Sequence, residues 1–125
     1  MIYKLLLLSV GGSLGTTLRF LVYSFFEKHQ SGGFPWATFT VNTLGSFLIG
    51  FLWGFFANHY ISPGLRMIIF VGFLGSFTTF STFAFDNFSL LRDGEVKEMF
   101  FYLFTTNILG IGLAIGGYYL SKLVG

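Results

Sequence analysis

The amino-acid sequence predicts an all-α membrane protein with four transmembrane helices in each subunit. Charged residues make up 10% of the 125 residues and hydrophobic residues 54%, and a soluble domain of this length has too little interior to bury that much apolar surface. Three long stretches contain no Asp, Glu, Lys or Arg: residues 29–65, 67–85 and 99–121. Because a helix needs about 20 apolar residues to cross a bilayer, each of these stretches accommodates one span.

We expect the four spans at about residues 4–26, 35–57, 65–85 and 99–121, in a single domain that covers residues 1–125. Only Arg19 interrupts the first apolar run. The opening YKLLLLSVGG also resembles a signal peptide, but the apolar run continues past any cleavage site, which favours a span. The stretch DNFSLLRDGEVKE, residues 86–98, is the one long polar connector. We predict that it is a loop with at most a short interfacial turn and no chemical role.

Several function classes find no support in the composition. The chain has no cysteine, which excludes a disulfide framework and a thiolate metal site. The sequence pI of about 9.0 reflects a surplus of two charges and is no evidence for a nucleic-acid partner. His29 and His59 lie at predicted helix ends, and no nucleophile with a supporting base is visible. We therefore expect neither an enzyme nor a nucleic-acid-binding protein.

Lysine and arginine are divided equally between the two sides of the predicted bundle. One side would carry Lys4, Arg66 and Lys122, and the other Lys28, Arg92 and Lys97. Because the positive-inside rule counts these residues near the ends of the spans, the insertion machinery receives almost no orientation signal. We therefore expect insertion in both orientations and pairing of two inverted copies into an antiparallel homodimer.

Small residues spaced four apart recur in three of the spans. They are Gly11 and Gly15, then Ser46, Gly50 and Gly54, then Gly112 and Gly116. Such spacing lets helix backbones approach closely. Ordinary packing within one subunit accounts for most of these faces, although a non-transporting membrane subunit that binds partners through its glycine faces is an alternative.

Arg19 is the ionisable residue that the sequence places well inside a span, and such residues are candidates for function. It either extends to the lipid headgroups or lines a water-filled vestibule that attracts anions. No carboxylate is expected deep in a span, since Asp86 is placed at a helix end. The main alternative function, a small dual-topology exporter of the multidrug-resistance type, usually needs such a carboxylate to exchange protons for substrate.

Neutral hydrogen-bonding residues share a face in two spans. Thr38 and Asn42 are four residues apart in the second span, as are Tyr102 and Thr106 in the fourth. Donors without a fixed negative charge suit an anion pathway. The alternative is hydrogen bonding between helices, worth about 1 kcal/mol or less per bond. Four aligned donors on two helices favour a polar track.

The third span contains GSFTT, residues 75–79, which is a poor helix former. One interpretation is a kink with Ser and Thr bonded to their own helix, which the spacing alone favours. The other is a break whose carbonyl oxygens bind an alkali cation, as in other broken transmembrane helices. Phe80 and Phe83 follow, with Ser81 and Thr82 between them. The edge of a phenyl ring is positive, so rings alternating with hydroxyls can face an anion; generic packing in a chain with 19 phenylalanines is the alternative.

The segment GFLGSFTTFSTF strongly resembles the third-helix signature of the dual-topology fluoride channels, the Fluc or CrcB family. The segments GGSLGTTLRF, VNTLGSFLIG and TTNILGIGLAIGG fit the other three helices of that family. The resemblance covers nearly the whole chain. It implies an antiparallel homodimer in the plasma membrane, the inner membrane of bacteria, with two fluoride pores and a central structural Na⁺. Such channels export fluoride passively and lower its cytoplasmic concentration.

The resemblance also implies roles for individual residues. The backbone carbonyls of Gly75 and Thr78 would bind Na⁺, and the ring edges of Phe80 and Phe83 would face fluoride. Asn42 would be the asparagine of the pore and Arg19 the basic residue of its vestibule. The polar route would be lined by Thr38, Ser81, Thr82, Tyr102 and Thr106. One departure is Gly110, which stands where some relatives carry another hydroxyl one turn after Thr106, so the fourth-helix track is expected to be shorter.

Overall fold

The structure, a computed structural model, describes residues 1–30 and 32–125, which form helices and no β-strand. Four helical stretches are long and apolar enough to cross a membrane. They are α1 (Ile2–His29), α2 (Trp36–Ala57), the third span (Pro63–Arg92) and α6 (Val96–Val124). Each overlaps one predicted span, and the prediction of an all-α membrane protein with four spans is confirmed.

The third span is assembled from four helical pieces. It begins with α3 (Pro63–Arg66), continues as a π-helix (Met67–Leu74) and α4 (Gly75–Phe77), and resumes as α5 (Phe80–Arg92). Its start follows from local chemistry, because Ser62 Oγ accepts a hydrogen bond from Leu65 N at 3.2 Å and proline suits the first helical position.

The helix is broken between α4 and α5, as one of the two interpretations of the sequence predicted. Thr78 and Thr79 are both extended, with φ −83° and ψ 158° for Thr78 and φ −150° and ψ 119° for Thr79. Gly75 itself is helical. The back-bonding of the kink interpretation is also present, since Thr78 Oγ1 donates to Leu74 O at 3.0 Å, but the backbone is interrupted rather than merely bent.

The helices pack mainly in two pairs, α2 with α6 and α1 with the first half of the third span. Glycines set both contacts. A Cβ atom at Gly11 would lie 3.0 Å from the Gly72 Cα, and one at Gly50 would lie 2.8 Å from the Ala114 carbonyl carbon. At these two positions only glycine permits the observed approach of the backbones.

The predicted glycine face of α6 is not the face that packs on α2. A Cβ atom at Gly112 or Gly116 would meet nothing within 4 Å. The residues of α6 that face α2 are Gly110, Ala114, Gly117 and Ser121. Their spacing of four, three and four residues also follows one face of a helix. The sequence of α6 therefore contains two faces of small residues, and the motif of glycines four apart identified the face that points away from α2.

The predicted loop at residues 86–98 is also wrong over most of its length. Helix α5 continues to Arg92, and α6 begins at Val96, so the connection is only residues 93–95. Gly94 provides the turn with a positive φ of 79°. The helix continues because Leu90, seven residues after Phe83, is buried with it against Tyr102, so this polar-looking segment has an apolar face.

Gly50→Ala is expected to destabilise the α2–α6 contact by about 1–3 kcal/mol, because the added methyl group overlaps the Ala114 backbone. The measurement is thermal unfolding of the purified protein in detergent. Gly116→Ala is the matched control on the open face of α6, where the better helix propensity of alanine should leave stability unchanged or slightly higher. Equal stability of the two variants would contradict the packing.

Candidate functional site

The broken helix is held open by a pair of hydrogen bonds from the second span. Asn42 Nδ2 donates to Thr79 O at 2.9 Å, and Thr79 N donates to Asn42 Oδ1 at 2.8 Å. A primary amide carries both a donor and an acceptor, so this one side chain replaces both partners that an unbroken helix would have given to Thr79. Thr79 also begins α5, since its Oγ1 accepts from Thr82 N.

Arg19 reaches the break from the first span. Its Nε donates to Ser76 O at 3.0 Å, while Ser76 Oγ lies 3.0 Å from Gly12 O and 2.7 Å from Gly72 O. The sequence predicted that Arg19 reaches either the lipid headgroups or a water-filled vestibule, and it did not predict this hydrogen bond to a backbone carbonyl. Its vestibule role stays a prediction. Ser76, which sequence reasoning did not single out, connects the end of α4 to α1.

Other carbonyl groups at the break remain without a partner. In the part of the chain that the structure describes, no hydrogen bond ends on the carbonyl oxygen of Gly75 or of Thr78. Gly75 is also exposed on the surface of the chain. These are the two carbonyls that the resemblance assigns to Na⁺, and carbonyl oxygens without a hydrogen-bond partner are ligands that suit a hard cation.

The break opens into a groove between α2 and α6 with a volume of about 470 Å³, the break groove. None of its lining residues is charged. It brings together six of the predicted site residues: Asn42, Gly75, Thr78, Phe80, Phe83 and Thr106.

Phe80 and Phe83 meet in this groove with their ring centroids 6.0 Å apart and their planes at 45°. Phe83 is 7% exposed and packs on Tyr102, whose ring centroid is 5.0 Å away. Phe80, by contrast, is 78% exposed. One ring is therefore fixed by the bundle, while the other projects from the surface of the chain.

Thr106 lines the same groove. Its Oγ1 is buried and has no hydrogen-bond partner among residues 1–30 and 32–125. One turn further on, Gly110 is buried, and a Cβ atom there would lie 3.4 Å from Ser46 Oγ. Ser46 also lines the break groove, so α2 places a hydroxyl beside the position where α6 lacks one. The sequence contained no signal for this cross-helix placement.

Five predicted site residues lie outside the break groove: Arg19, Thr38, Ser81, Thr82 and Tyr102. Ser81 is exposed, and Thr82 Oγ1 accepts from Thr79 Oγ1 at 3.2 Å as part of the helix cap. Thr38 lines a second cavity of about 330 Å³, the end cavity, together with Tyr23, Glu27 and Asp86. Thr38 and Asn42 share a helix face but open into different cavities.

The end cavity contains groups that sequence reasoning missed. Tyr23 Oη lies 2.5 Å from Thr38 Oγ1, and the buried Tyr102 donates its hydroxyl to Asp86 Oδ2 at 3.0 Å. Asp86 was expected at a helix end. It lies instead within α5 and is half-buried, because α5 continues to Arg92. The only sequence signal for Tyr23 was its position one turn after Arg19.

The fold and the site define an integral, multi-pass membrane protein whose third span is broken at an uncharged polar groove. The model of the family described as CrcB-like protein, Camphor Resistance (CrcB) matches residues 6–118. The chain belongs to this family, which confirms the resemblance seen in its sequence.

Its relatives include three proteins named fluoride-specific ion channel FluC. The one from Aquifex aeolicus is 38% identical over 115 residues, which cover 91% of this chain and 93% of that protein. The one from Parabacteroides distasonis is 40% identical, covering 95% and 93%. The third, from Thermus thermophilus, is 41% identical, covering 94% of each.

Asn42→Ala is expected to lower stability strongly, because it leaves the backbone N–H and C=O of Thr79 without partners inside the membrane. Each unpaired group costs roughly 1–3 kcal/mol. The measurement is thermal unfolding in detergent. Asn107→Ala is the control, since Asn107 is exposed and its Nδ2 donates only to Leu103 O of its own helix. If both variants unfolded together, Asn42 would not support the break.

Proposed function

We propose that the protein is a fluoride-selective channel that lets fluoride leave the cell passively and so lowers its cytoplasmic concentration. The observation that carries this proposal is the break groove, whose lining is uncharged and includes Phe80, Phe83 and Thr106. The buried Oγ1 of Thr106 has no hydrogen-bond partner among the described residues. The high coverage by relatives named fluoride-specific ion channel supports the ion and the activity. The protein acts as a channel and not as an enzyme.

The chemistry of the groove suits a small anion. Fluoride is strongly hydrated, so the groups that receive it must replace the hydrogen bonds of its lost water molecules. A hydroxyl with no internal partner, such as that of Thr106, has its hydrogen available for the ion. The positive edges of phenyl rings add weaker attraction. Without a fixed positive charge the groove holds the ion loosely enough for it to leave.

Ser46 supplements the fourth-helix track in this proposal. Gly110 shortens that track by one hydroxyl, but Ser46 Oγ lies beside Gly110 and lines the same groove. Ser46 donates to Asn42 O at 2.7 Å. Rotation of the Ser46 hydroxyl would redirect this hydrogen to a passing anion, in the place where some relatives carry a hydroxyl on the fourth helix.

The functional unit in this proposal is a dimer of two inverted copies with one pore along each break groove. The carbonyls of Gly75 and Thr78 have no partners within residues 1–30 and 32–125, and Phe80 is 78% exposed. Unsatisfied backbone groups that face lipid cost several kcal/mol, so a second protein surface is needed to cover them. The equal division of Lys and Arg between the two sides supports insertion in both orientations.

Na⁺ is the proposed occupant of the site between the two copies. The free carbonyls of Gly75 and Thr78 from each copy would hold it, which makes four oxygen ligands. The cation would add a positive potential beside both pores and hold the copies together. Arg19 supports the geometry of this site, because its bond to Ser76 O orients the peptide next to Gly75.

The protein reconstituted into liposomes should release fluoride far faster than chloride. Thr106→Val should slow fluoride release by about tenfold or more, because the charged ion loses one hydrogen bond. The variant should still fold, because the Thr106 hydroxyl has no hydrogen-bond partner among the described residues. The measurement is efflux of each anion followed with ion-selective electrodes.

The matched control is Thr43→Val, which removes a buried hydroxyl that donates to Phe39 O of its own helix and lies outside the break groove. It should leave fluoride flux unchanged. Equal release of fluoride and chloride would refute the proposed selectivity, and equal flux in the two valine variants would remove Thr106 from the pathway.

Replacement of Na⁺ on both sides of the membrane by a large organic cation should reduce fluoride flux and weaken the dimer, because the carbonyls of Gly75 and Thr78 would lose their ligand. A Na⁺ gradient should have no effect on the rate when both sides contain enough of the ion. The measurement is efflux together with cross-linking of the dimer. A flux that follows the Na⁺ gradient would indicate a coupled transporter instead.

A further inference from the structure

The two ends of the bundle differ in acidic residues, although their Lys and Arg counts are equal. One end collects the start of α1, the connection after α2 and the end of α6, since Gly64 lies beside Leu7 and Gly125 beside His59. This basic end carries Lys4, Arg66 and Lys122. All five acidic residues lie toward the other end: Glu27, Asp86, Asp93, Glu95 and Glu98. Within one copy of the chain, the basic end therefore carries lysine and arginine but no acidic side chain.

A second groove runs between α2 and α6 near the basic end, with a volume of about 550 Å³; we call it the lateral groove. Its residues are ordered by depth in the membrane. Ile49 and Ile115 form the deeper part, and Trp53, Tyr118 and Tyr119 lie nearer the helix ends. Trp53 is four residues from the end of α2 at Ala57, about 6 Å along the axis, a depth at which aromatic residues meet the lipid interface.

Two cations contact rings of this aromatic layer. The Arg66 guanidinium lies 5.4 Å from the centre of the Trp53 ring, and Lys122 Nζ lies 5.0 Å from that of Tyr118. Within residues 1–30 and 32–125 the one ion pair is Arg92 with Asp93 at the opposite end, so neither cation is neutralised by a carboxylate of the same chain. Each cation therefore lies next to an aromatic ring that lines the lateral groove.

We propose that the lateral groove binds an anionic phospholipid. The acyl chain would lie along Ile49 and Ile115, and the ester region would meet Trp53 and Tyr119. The phosphate would be placed between Arg66 and Lys122. This order of apolar, aromatic and cationic groups from the membrane centre outward is the order of the parts of a phospholipid. Two cations beside the groove, neither of them paired with a carboxylate among the described residues, select an anionic headgroup over a zwitterionic one. Two interfacial cations provide a preference of about tenfold.

The chain contains its own reporters for this site. Of its two tryptophans, Trp53 lies in the lateral groove and Trp36 at the opposite end, exposed at the start of α2. Trp36→Phe leaves Trp53 as the sole reporter, and Trp53→Phe leaves Trp36. Each variant is reconstituted into vesicles of phosphatidylglycerol and phosphatidylcholine in equal parts, with bromine on the acyl chains of one lipid or the other. Brominated chains quench tryptophan fluorescence on contact.

Brominated phosphatidylglycerol should quench Trp53 well beyond its share of the bilayer, with a local preference of about tenfold, while Trp36 should show little preference. In the Trp36→Phe background, Arg66→Gln with Lys122→Gln should abolish the preference at Trp53. The matched pair Lys28→Gln with Lys97→Gln, at the other end, should retain it. Ratios to unbrominated vesicles remove the effect of the lost cation–π contact on Trp53 emission.

Two results would overturn the proposal. Equal quenching of Trp53 by both brominated lipids would mean that ordinary bilayer lipid fills the lateral groove. No quenching by either lipid would mean that a second copy of the chain covers it. Both vesicle leaflets have the same composition, so the orientation of the protein does not affect the outcome. Fluoride flux is not part of the measurement, so the test is independent of the proposed channel function.

Discussion

The reciprocal hydrogen bonds between Asn42 and the backbone of Thr79 are the interaction on which the rest of this architecture depends. An interrupted helix inside a membrane exposes N–H and C=O groups that lipid cannot satisfy. The amide of Asn42 satisfies both groups of Thr79 at once, and the Thr79 side chain then starts α5. One side chain on α2 thereby stabilises a conformation that the third span could not maintain alone.

The remaining carbonyls of the break are divided in a way that creates the site. Arg19 accounts for the carbonyl of Ser76, while those of Gly75 and Thr78 have no partner among the described residues. The same interruption directs α5 so that Phe80 and Phe83 line the groove that Gly75 and Thr78 also line. The proposed cation ligands and the proposed anion-facing rings therefore lie in one groove because they come from the two sides of one break.

The close approach of α2 and α6 forms walls of the break groove and, further along the same two helices, of the lateral groove. Gly50 and Gly117 let the two backbones touch, which brings Ser46 beside Gly110 on the side of the break. Further along the same seam, the two helices form the lateral groove with its aromatic rim and flanking cations. The contact between α2 and α6 thus connects the break groove, the proposed ion pathway, with the lateral groove, the proposed lipid site.

The sequence by itself determined the four spans, the weak helix former GSFTT in the third span and the family, because charge-free runs, helix propensity and a specific motif are all local properties. Whether GSFTT kinks or breaks the helix was decided by the tertiary hydrogen bonds of Thr79 with Asn42. The tertiary structure alone decided which polar groups meet. Thr38 and Asn42 lie one turn apart and open into separate cavities, and Asp86 becomes half-buried against Tyr102 only because the apolar face of α5, through Leu90, extends the helix to Arg92. The π-helix Met67–Leu74 shifts which residues of the third span lie on a given face. Which helix each face packs against depends on contacts between helices, and the periodicity of one segment does not encode these contacts.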